Sequence, residues 1–134
     1  MIVASAAGGM EIEDIVERAP DSIIRTTVDP GVGMQRFQAR EIAFGLGLDQ
    51  NLIGKATETI FSRYQVFRDY DASMLEINPL VVTRDGNLVA LDAKMSFDEN
   101  ALFRRPEISE LRDKSQEDAR ETFATPERPG RAVM

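Results

Sequence analysis

The chain has 134 residues, about the length of one domain, and its 43% hydrophobic and 29% charged residues are typical of a globular protein with a buried core. A net charge of −7 disfavours nucleic-acid binding, no stretch reaches the roughly 18 apolar residues of a membrane helix, and the composition fits the cytoplasm. Without histidine or cysteine, only oxygen ligands remain for a metal, which favours Mg²⁺, Mn²⁺ or Ca²⁺.

The start of the chain predicts a strand, a turn, a helix and a second strand. A short apolar run predicts a buried strand over 2–5, and the Gly8-Gly9 pair that follows predicts a turn. We favour a simple turn over a phosphate-binding loop, because acidic residues come directly after it. Apolar residues at helical spacing predict a helix over 10–18, and a β-branched run predicts a strand over 22–28.

Two longer helices are predicted next, over 35–46 and over 50–69. Each has one apolar face, and such faces nearly always form a protein core. The first face has four members and the second has five: Ala39, Ile42, Ala43 and Leu46, then Ile53, Ala56, Ile60, Tyr64 and Phe67.

The remaining elements are a predicted hairpin and a short helix. The strands of the hairpin are predicted over 74–83 and 87–95, followed by a loop or short turn over 96–102 and a short helix over 106–112. The stretch 115–134 is charged and contains two prolines, which predicts a largely disordered tail. The order β-α-β-α-α-β-β predicts an α+β fold in one domain.

The register of the hairpin decides which polar side chains meet. A two-residue loop at Asp85-Gly86 places Asn78 and Asp92 on opposite faces of the hairpin. A three-residue loop with Gly86 in the left-handed region instead places Asn78 opposite Asp92, and Glu76 opposite Lys94. We favour the second register because it gathers the apolar residues on one face. These residues are Leu75, Ile77, Val89, Leu91, Ala93 and Met95.

The polar face of the hairpin has two interpretations. A carboxamide oxygen of Asn78 and a carboxylate of Asp92 on facing strands are suitable ligands for one hard cation, with Glu76 as a second carboxylate nearby. The alternative is a solvated sheet face on which Glu76 and Lys94 form a cross-strand ion pair. The spacing of the residues leaves both interpretations open.

Several segments together form a specific combination of motifs. The strongest are LEINPLVV over 75–82, LDAK over 91–94 and NALF over 100–103. Others match at 8–13, 29–30, 40–43, 46–48 and 115–118. On these residues, the chain resembles the β subunits of the succinate–CoA ligases (ADP-forming) and of the malate–CoA ligases, from about residue 2 to about residue 121.

The resemblance implies an ATP-grasp fold, mainly its C-terminal lobe, with a mixed or antiparallel sheet and packed helices. It implies an acid–thiol ligase that uses ATP and Mg²⁺ to join a dicarboxylate to CoA, with a phosphoryl group passing through a histidine of a separate α subunit. Asn78 and Asp92 match the Mg²⁺ ligands of the family, and Glu76 matches the catalytic glutamate that meets this histidine. The substrate, succinate or malate, and the nucleotide, ATP or GTP, stay open.

The chain also departs from the family. We expect residues 1–114 to form a partial ATP-grasp domain, because the family's N-terminal nucleotide-binding part and its C-terminal domain have no counterpart in this sequence. Residues 122–134 do not follow the family pattern, so a truncated product that is inactive alone is expected. Self-association is a further expectation. The alternative function is a non-catalytic interaction module, or a homodimer that lacks nucleotide binding.

Overall fold

The structure, a computed structural model, describes residues 1–111. Its residues divide between two compact units, one ending at Ala101 and the other beginning at Leu102. The predicted domain boundary at residue 114 and the predicted tail over 115–134 lie outside the described residues. No helix within residues 1–111 is both long and apolar enough to cross a membrane.

The first unit has the predicted α+β composition. Its strands and helices are β1 (Ile2–Ser5), α1 (Ile12–Arg18), β2 (Ile23–Thr26), α2 (Arg36–Gly45), α3 (Ile53–Asp69), β3 (Ala72–Ile77), β4 (Leu80–Val82), β5 (Leu88–Ala90) and β6 (Ala93–Phe97). Short 3₁₀ segments lie at Pro20–Ser22, Gln50–Leu52 and Glu99–Arg104, and the second unit contains α4 (Pro106–Ser109). The predicted order is confirmed, except that each of the last two predicted strands is divided into two.

Within residues 1–111, every strand pair is antiparallel: β1 with β2, β3 with β6, and β4 with β5. The prediction of a loop or short turn over 96–102 was wrong at its start, because Ser96 and Phe97 pair with Met74 and Ala72 and so belong to β6. A bulge between Ala72 and Met74 accommodates this longer pairing. The rest of the predicted loop lies largely in the 3₁₀ segment.

Helices α2 and α3 form the core of the first unit. Ala39, Ile42 and Ala43 of α2 are at most 1% exposed, and Ile53 and Ala56 of α3 are similarly buried. The other predicted members, Leu46, Ile60 and Tyr64, pack against these residues, and Phe67 stacks with Tyr64 at a ring separation of 6.4 Å. The two apolar faces predicted from the sequence are therefore confirmed.

Polar contacts at the surface reinforce the packing of α2 on α3. The guanidinium of Arg36 lies 4.7 Å from the ring centroid of Phe61 and forms an ion pair with Glu58. At its N-terminus, α2 has a reciprocal capping box between Gln35 and Gln38. The capping contact occupies a backbone N–H group that the first turn of a helix otherwise leaves unpaired.

Candidate metal centre

The hairpin has the three-residue loop that the sequence favoured. Thr83 donates its backbone N–H to the carbonyl oxygen of Asn87 at 2.8 Å, and Gly86 has a φ of 71°. The same register continues along the hairpin, where Glu76 faces Lys94. Because the register is continuous, Asn78 lies opposite Asp92, and the backbone N–H of Asn78 donates to the carbonyl oxygen of Asp92 at 3.3 Å.

The strands are interrupted at the position of this pair. The predicted continuous strands over 74–83 and 87–95 were wrong, because β3 ends at Ile77 and β4 begins at Leu80. Pro79 has no N–H to donate to the ladder, and the Asn78–Pro79 peptide bond is cis. The partner strand remains close, since Leu91 donates its N–H to the carbonyl oxygen of Pro79 at 3.1 Å.

The side chain of Asn78 connects the hairpin to the turn that follows β1. Its Oδ1 atom accepts the backbone N–H of Gly9 at 2.9 Å, and its Nδ2 atom donates to the carbonyl oxygen of Met10 at 2.8 Å. Sequence reasoning missed this contact, because the partners lie 69 and 68 positions apart and no local pattern joins them. It also explains why α1 begins at Ile12 rather than at the predicted residue 10.

The Gly8-Gly9 segment is a turn, as predicted. The backbone N–H of Gly8 donates to the carbonyl oxygen of Ala6 at 3.1 Å, and that of Gly9 is occupied by Asn78. Both amide groups that a phosphate cradle would require are therefore engaged within the chain.

Glu76 and Lys94 face each other across β3 and β6, but their side chains do not form an ion pair. Within residues 1–111, no ion pair joins them, so the cross-strand pair of the alternative interpretation is not formed. Glu76 is half-buried, whereas Lys94 is exposed. The carboxylate of Glu76 is therefore not neutralised by the residue that faces it.

A cavity of about 760 Å³ lies in the first unit beside these residues. It is bordered by β1, the Gly8–Met10 turn, α1, the two core helices and the hairpin, and Glu76 and Asn78 both contribute to its wall. The rest of the wall is largely apolar and includes Ile60, Tyr64 and Phe67. Asp92 is exposed between β5 and β6 and is not among the lining residues.

The donor atoms of Asn78 and Asp92 fit a hard cation. A carboxamide oxygen has two lone pairs, and Gly9 uses one of them, which leaves the other for a ligand. Within residues 1–111, no hydrogen bond or ion pair occupies the carboxylate of Asp92. The same described residues contain no cluster of three or more acidic side chains that could hold a metal ion. Mg²⁺ commonly takes only one or two protein carboxylates and completes its shell with water and phosphate oxygens, so it does not require a larger acidic cluster.

Comparison with known proteins identifies the class to which this fold belongs. The family model of the ATP-grasp domain matches residues 1–82, which is more than half of the chain. The chain therefore belongs to the ATP-grasp family.

The chain is also similar to individual ligase subunits. It is 92% identical over 125 residues to the probable malate–CoA ligase subunit beta of Mesorhizobium japonicum. It is 51% identical over 122 residues to the succinate–CoA ligase [ADP-forming] subunit beta of Myxococcus xanthus, and 48% identical over 125 residues to that of Bacillus subtilis. The matches cover 91–93% of this chain but only 32% of each of these relatives.

Proposed function

We propose that the chain is part of the β subunit of an acid–CoA ligase, in which it supplies part of the C-terminal lobe of the ATP-grasp region. The reaction joins malate or succinate to CoA at the expense of ATP, in the cytoplasm. The observation that carries this proposal is the pairing of Asn78 with Asp92 in a chain of the ATP-grasp family. The 92% identity to a probable malate–CoA ligase subunit supports malate as the substrate.

Asn78 and Asp92 hold Mg²⁺ through Oδ1 and a carboxylate oxygen. A divalent cation held by these two residues would offset the negative charge of ATP phosphates during phosphoryl transfer. Asp92 supplies the formal charge of the site, and Asn78 supplies a neutral oxygen whose orientation is fixed by the Gly9–Met10 turn. The exposed position of Asp92 suits cation binding, because water and nucleotide oxygens supply the remaining ligands.

Glu76 orients a histidine of the α subunit and stabilises its protonated form. Two observations support this role: Glu76 lies on β3 two positions before Asn78, and the side chain of the facing Lys94 forms no ion pair with it. A carboxylate that accepts an imidazole N–H fixes the tautomer and the ring orientation of the histidine. A histidine supplied by the α subunit is compatible with a sequence that contains none.

A segment swap tests the proposal. In the Mesorhizobium japonicum subunit, the 125 residues that match are replaced by those of this chain, and the product is co-expressed with the α subunit of that organism. We expect thioester formation from CoA, ATP and a dicarboxylate, with malate and succinate assayed separately. Asp92→Ala in the swapped subunit should raise the Mg²⁺ concentration for half-maximal rate by about 10-fold to 100-fold.

The matched control is Asp85→Ala, which removes an exposed carboxylate from the loop at the other end of the same hairpin. This variant should leave the Mg²⁺ dependence unchanged. A swapped subunit that assembles with the α subunit but makes no thioester would contradict the proposed ligase function. Equal Mg²⁺ dependence in both variants would contradict the cation role of Asp92 alone.

A second candidate, a homodimer without nucleotide binding, is favoured by one feature of the hairpin. Leu91 and Val89 lie on the same hairpin face and are 64% and 40% exposed. Exposed apolar side chains on one face are typical of interaction surfaces. A stable dimer in sedimentation experiments, unchanged by Mg²⁺ and ATP, would support this candidate over the ligase.

A further inference from the structure

The two hydrogen bonds of the Asn78 side chain fix the orientation of its amide group. Gly9 presents an N–H and Met10 presents a carbonyl oxygen, so the turn is complementary to one orientation only. Rotating the amide by half a turn would place its NH₂ group against the N–H of Gly9 and its oxygen against the oxygen of Met10. Both hydrogen bonds would then be replaced by repulsive contacts.

This orientation matters because only one end of an amide group binds cations. The carboxamide oxygen has a second lone pair after accepting the N–H of Gly9, whereas the NH₂ group is a donor only. The turn therefore determines whether Asn78 presents an oxygen or a nitrogen at the position opposite Asp92.

Gly8 and Gly9 allow the backbone of the turn to lie close to Asn78 and Pro79. Gly9 has a φ of 79°, which side-chain-bearing residues rarely adopt. A Cβ atom on Gly8 would lie 3.3 Å from the Cβ atom of Pro79, the residue directly after Asn78. The turn thus lies against the hairpin at Pro79 while its polar groups engage Asn78.

We propose that the Gly9–Met10 turn is the positioning element of the cation site: it holds Oδ1 of Asn78 in a cation-binding orientation, and cation binding in return stabilises the turn. This inference rests on the proposed cation role of Asn78 and Asp92. Groups that orient metal ligands commonly change metal affinity by about 10-fold to 100-fold. Because coupling between two equilibria is reciprocal, the cation must stabilise the turn by the same factor.

The chain offers a matched pair of variants for the test. Gly9→Ala and Gly47→Ala both place a side chain at a positive φ, of 79° and 70°, and in both the new Cβ atom meets nothing within 4 Å. Their conformational costs are therefore similar, but only Gly9 contacts Asn78. The probe is Mn²⁺, which favours oxygen ligands, titrated alone into the complete chain while paramagnetic broadening of backbone amide signals is followed by NMR.

We expect broadening centred on Asn78 and Asp92, with a dissociation constant about tenfold higher in Gly9→Ala and unchanged in Gly47→Ala. Equal dissociation constants in Gly9→Ala and the original chain would overturn the positioning role and leave the proposed function intact. If Mn²⁺ does not broaden these signals even in the original chain, the cation role fails, and the inference fails with it.

A measurement without substitutions keeps the test valid if Gly9→Ala does not fold. Hydrogen exchange at the Gly9 amide is compared in the original chain with and without saturating Mg²⁺. We expect exchange at Gly9 to slow about tenfold, while exchange at the Gly47 amide stays constant. Unchanged exchange at Gly9 in the presence of bound Mg²⁺ would show that the turn and the cation are independent.

Discussion

Lys55 in the first turn of α3 donates from Nζ to the carbonyl oxygen of Gly86, 2.6 Å away in the hairpin loop. The same ammonium group donates to Oδ1 of Asn87 at 3.2 Å. Leu88, the next residue, packs against the buried residues of α2 and α3. The loop end of the hairpin is thus attached to the helices, while its middle is attached to the Gly9–Met10 turn through Asn78.

Lys55→Met removes the first attachment and retains most of the aliphatic stem. We expect the free energy of unfolding to fall by about 1 kcal/mol, as for other exposed hydrogen bonds. Urea denaturation measures this change. The control is Lys94→Met, because the Lys94 ammonium group has no hydrogen bond or ion pair within residues 1–111, and this variant should change stability by less than about 0.5 kcal/mol. Equal losses in the two variants would show that the attachment contributes nothing.

The close approach of α2 to β2 depends on Gly45. A Cβ atom at this position would lie 2.7 Å from Cδ1 of Ile24, so Gly45→Ala should destabilise the protein by about 1–3 kcal/mol. Ile24→Val removes the Cδ1 atom and alone should cost about 1 kcal/mol. The double variant relieves the clash. Its free energy of unfolding should therefore fall by about 1 kcal/mol less than the sum of the two single decreases. Additive losses in urea denaturation would exclude this contact as the cause.

Substitution of Gly54 in α3 by alanine should change stability in the opposite direction to Gly45→Ala. A Cβ atom there meets nothing within 4 Å, and the residue is helical. Gly54→Ala should therefore stabilise the protein by about 0.5–1 kcal/mol, because alanine loses less backbone entropy in a helix. The midpoint of thermal unfolding should rise accordingly. A decrease would indicate that Gly54 contacts a surface that the isolated chain does not show.

Asn78→Ala should lower the free energy of unfolding by about 1–2 kcal/mol, because two hydrogen bonds between the hairpin and the Gly9–Met10 turn are lost. Asn100→Ala is the matched control, since no hydrogen bond of the Asn100 side chain occurs within residues 1–111. Hydrogen exchange should also accelerate at Gly9 in the first variant only. Similar stability in both variants would contradict a structural role for the Asn78 amide.

The hairpin shows how much local sequence can specify. The alternation of apolar and polar residues has a period of two, so a slip by one residue would mix the apolar and polar sets on each face. Gly86 is the residue best able to adopt the positive φ of the loop, and together these features were sufficient to predict that Asn78 faces Asp92. The interruption of the strands was also predictable from the sequence, because Pro79 has no N–H to donate to the ladder.

The link between Asn78 and the Gly9–Met10 turn was not accessible in this way. It joins residues far apart in the chain, and neither segment carries a pattern that specifies the other. The start of α1 was misplaced for the same reason, because Met10 is held by this tertiary contact instead of continuing the helix. Propensity favoured a longer helix, and tertiary hydrogen bonds determined the outcome.

Glu76 provides the most direct test of the chemistry, because the chain contains other carboxylates at the same cavity. Glu13 also lines this cavity but is exposed on α1, so Glu13→Gln is a control of equal size and charge change. In the swapped ligase subunit, Glu76→Gln should lower kcat by about 100-fold or more, because a neutral amide cannot stabilise a protonated histidine. The KM for ATP should change little, since Glu76 does not contact the nucleotide in this proposal. Loss of activity in both variants would instead indicate a general electrostatic effect of the cavity, and unchanged kcat in Glu76→Gln would remove Glu76 from the reaction.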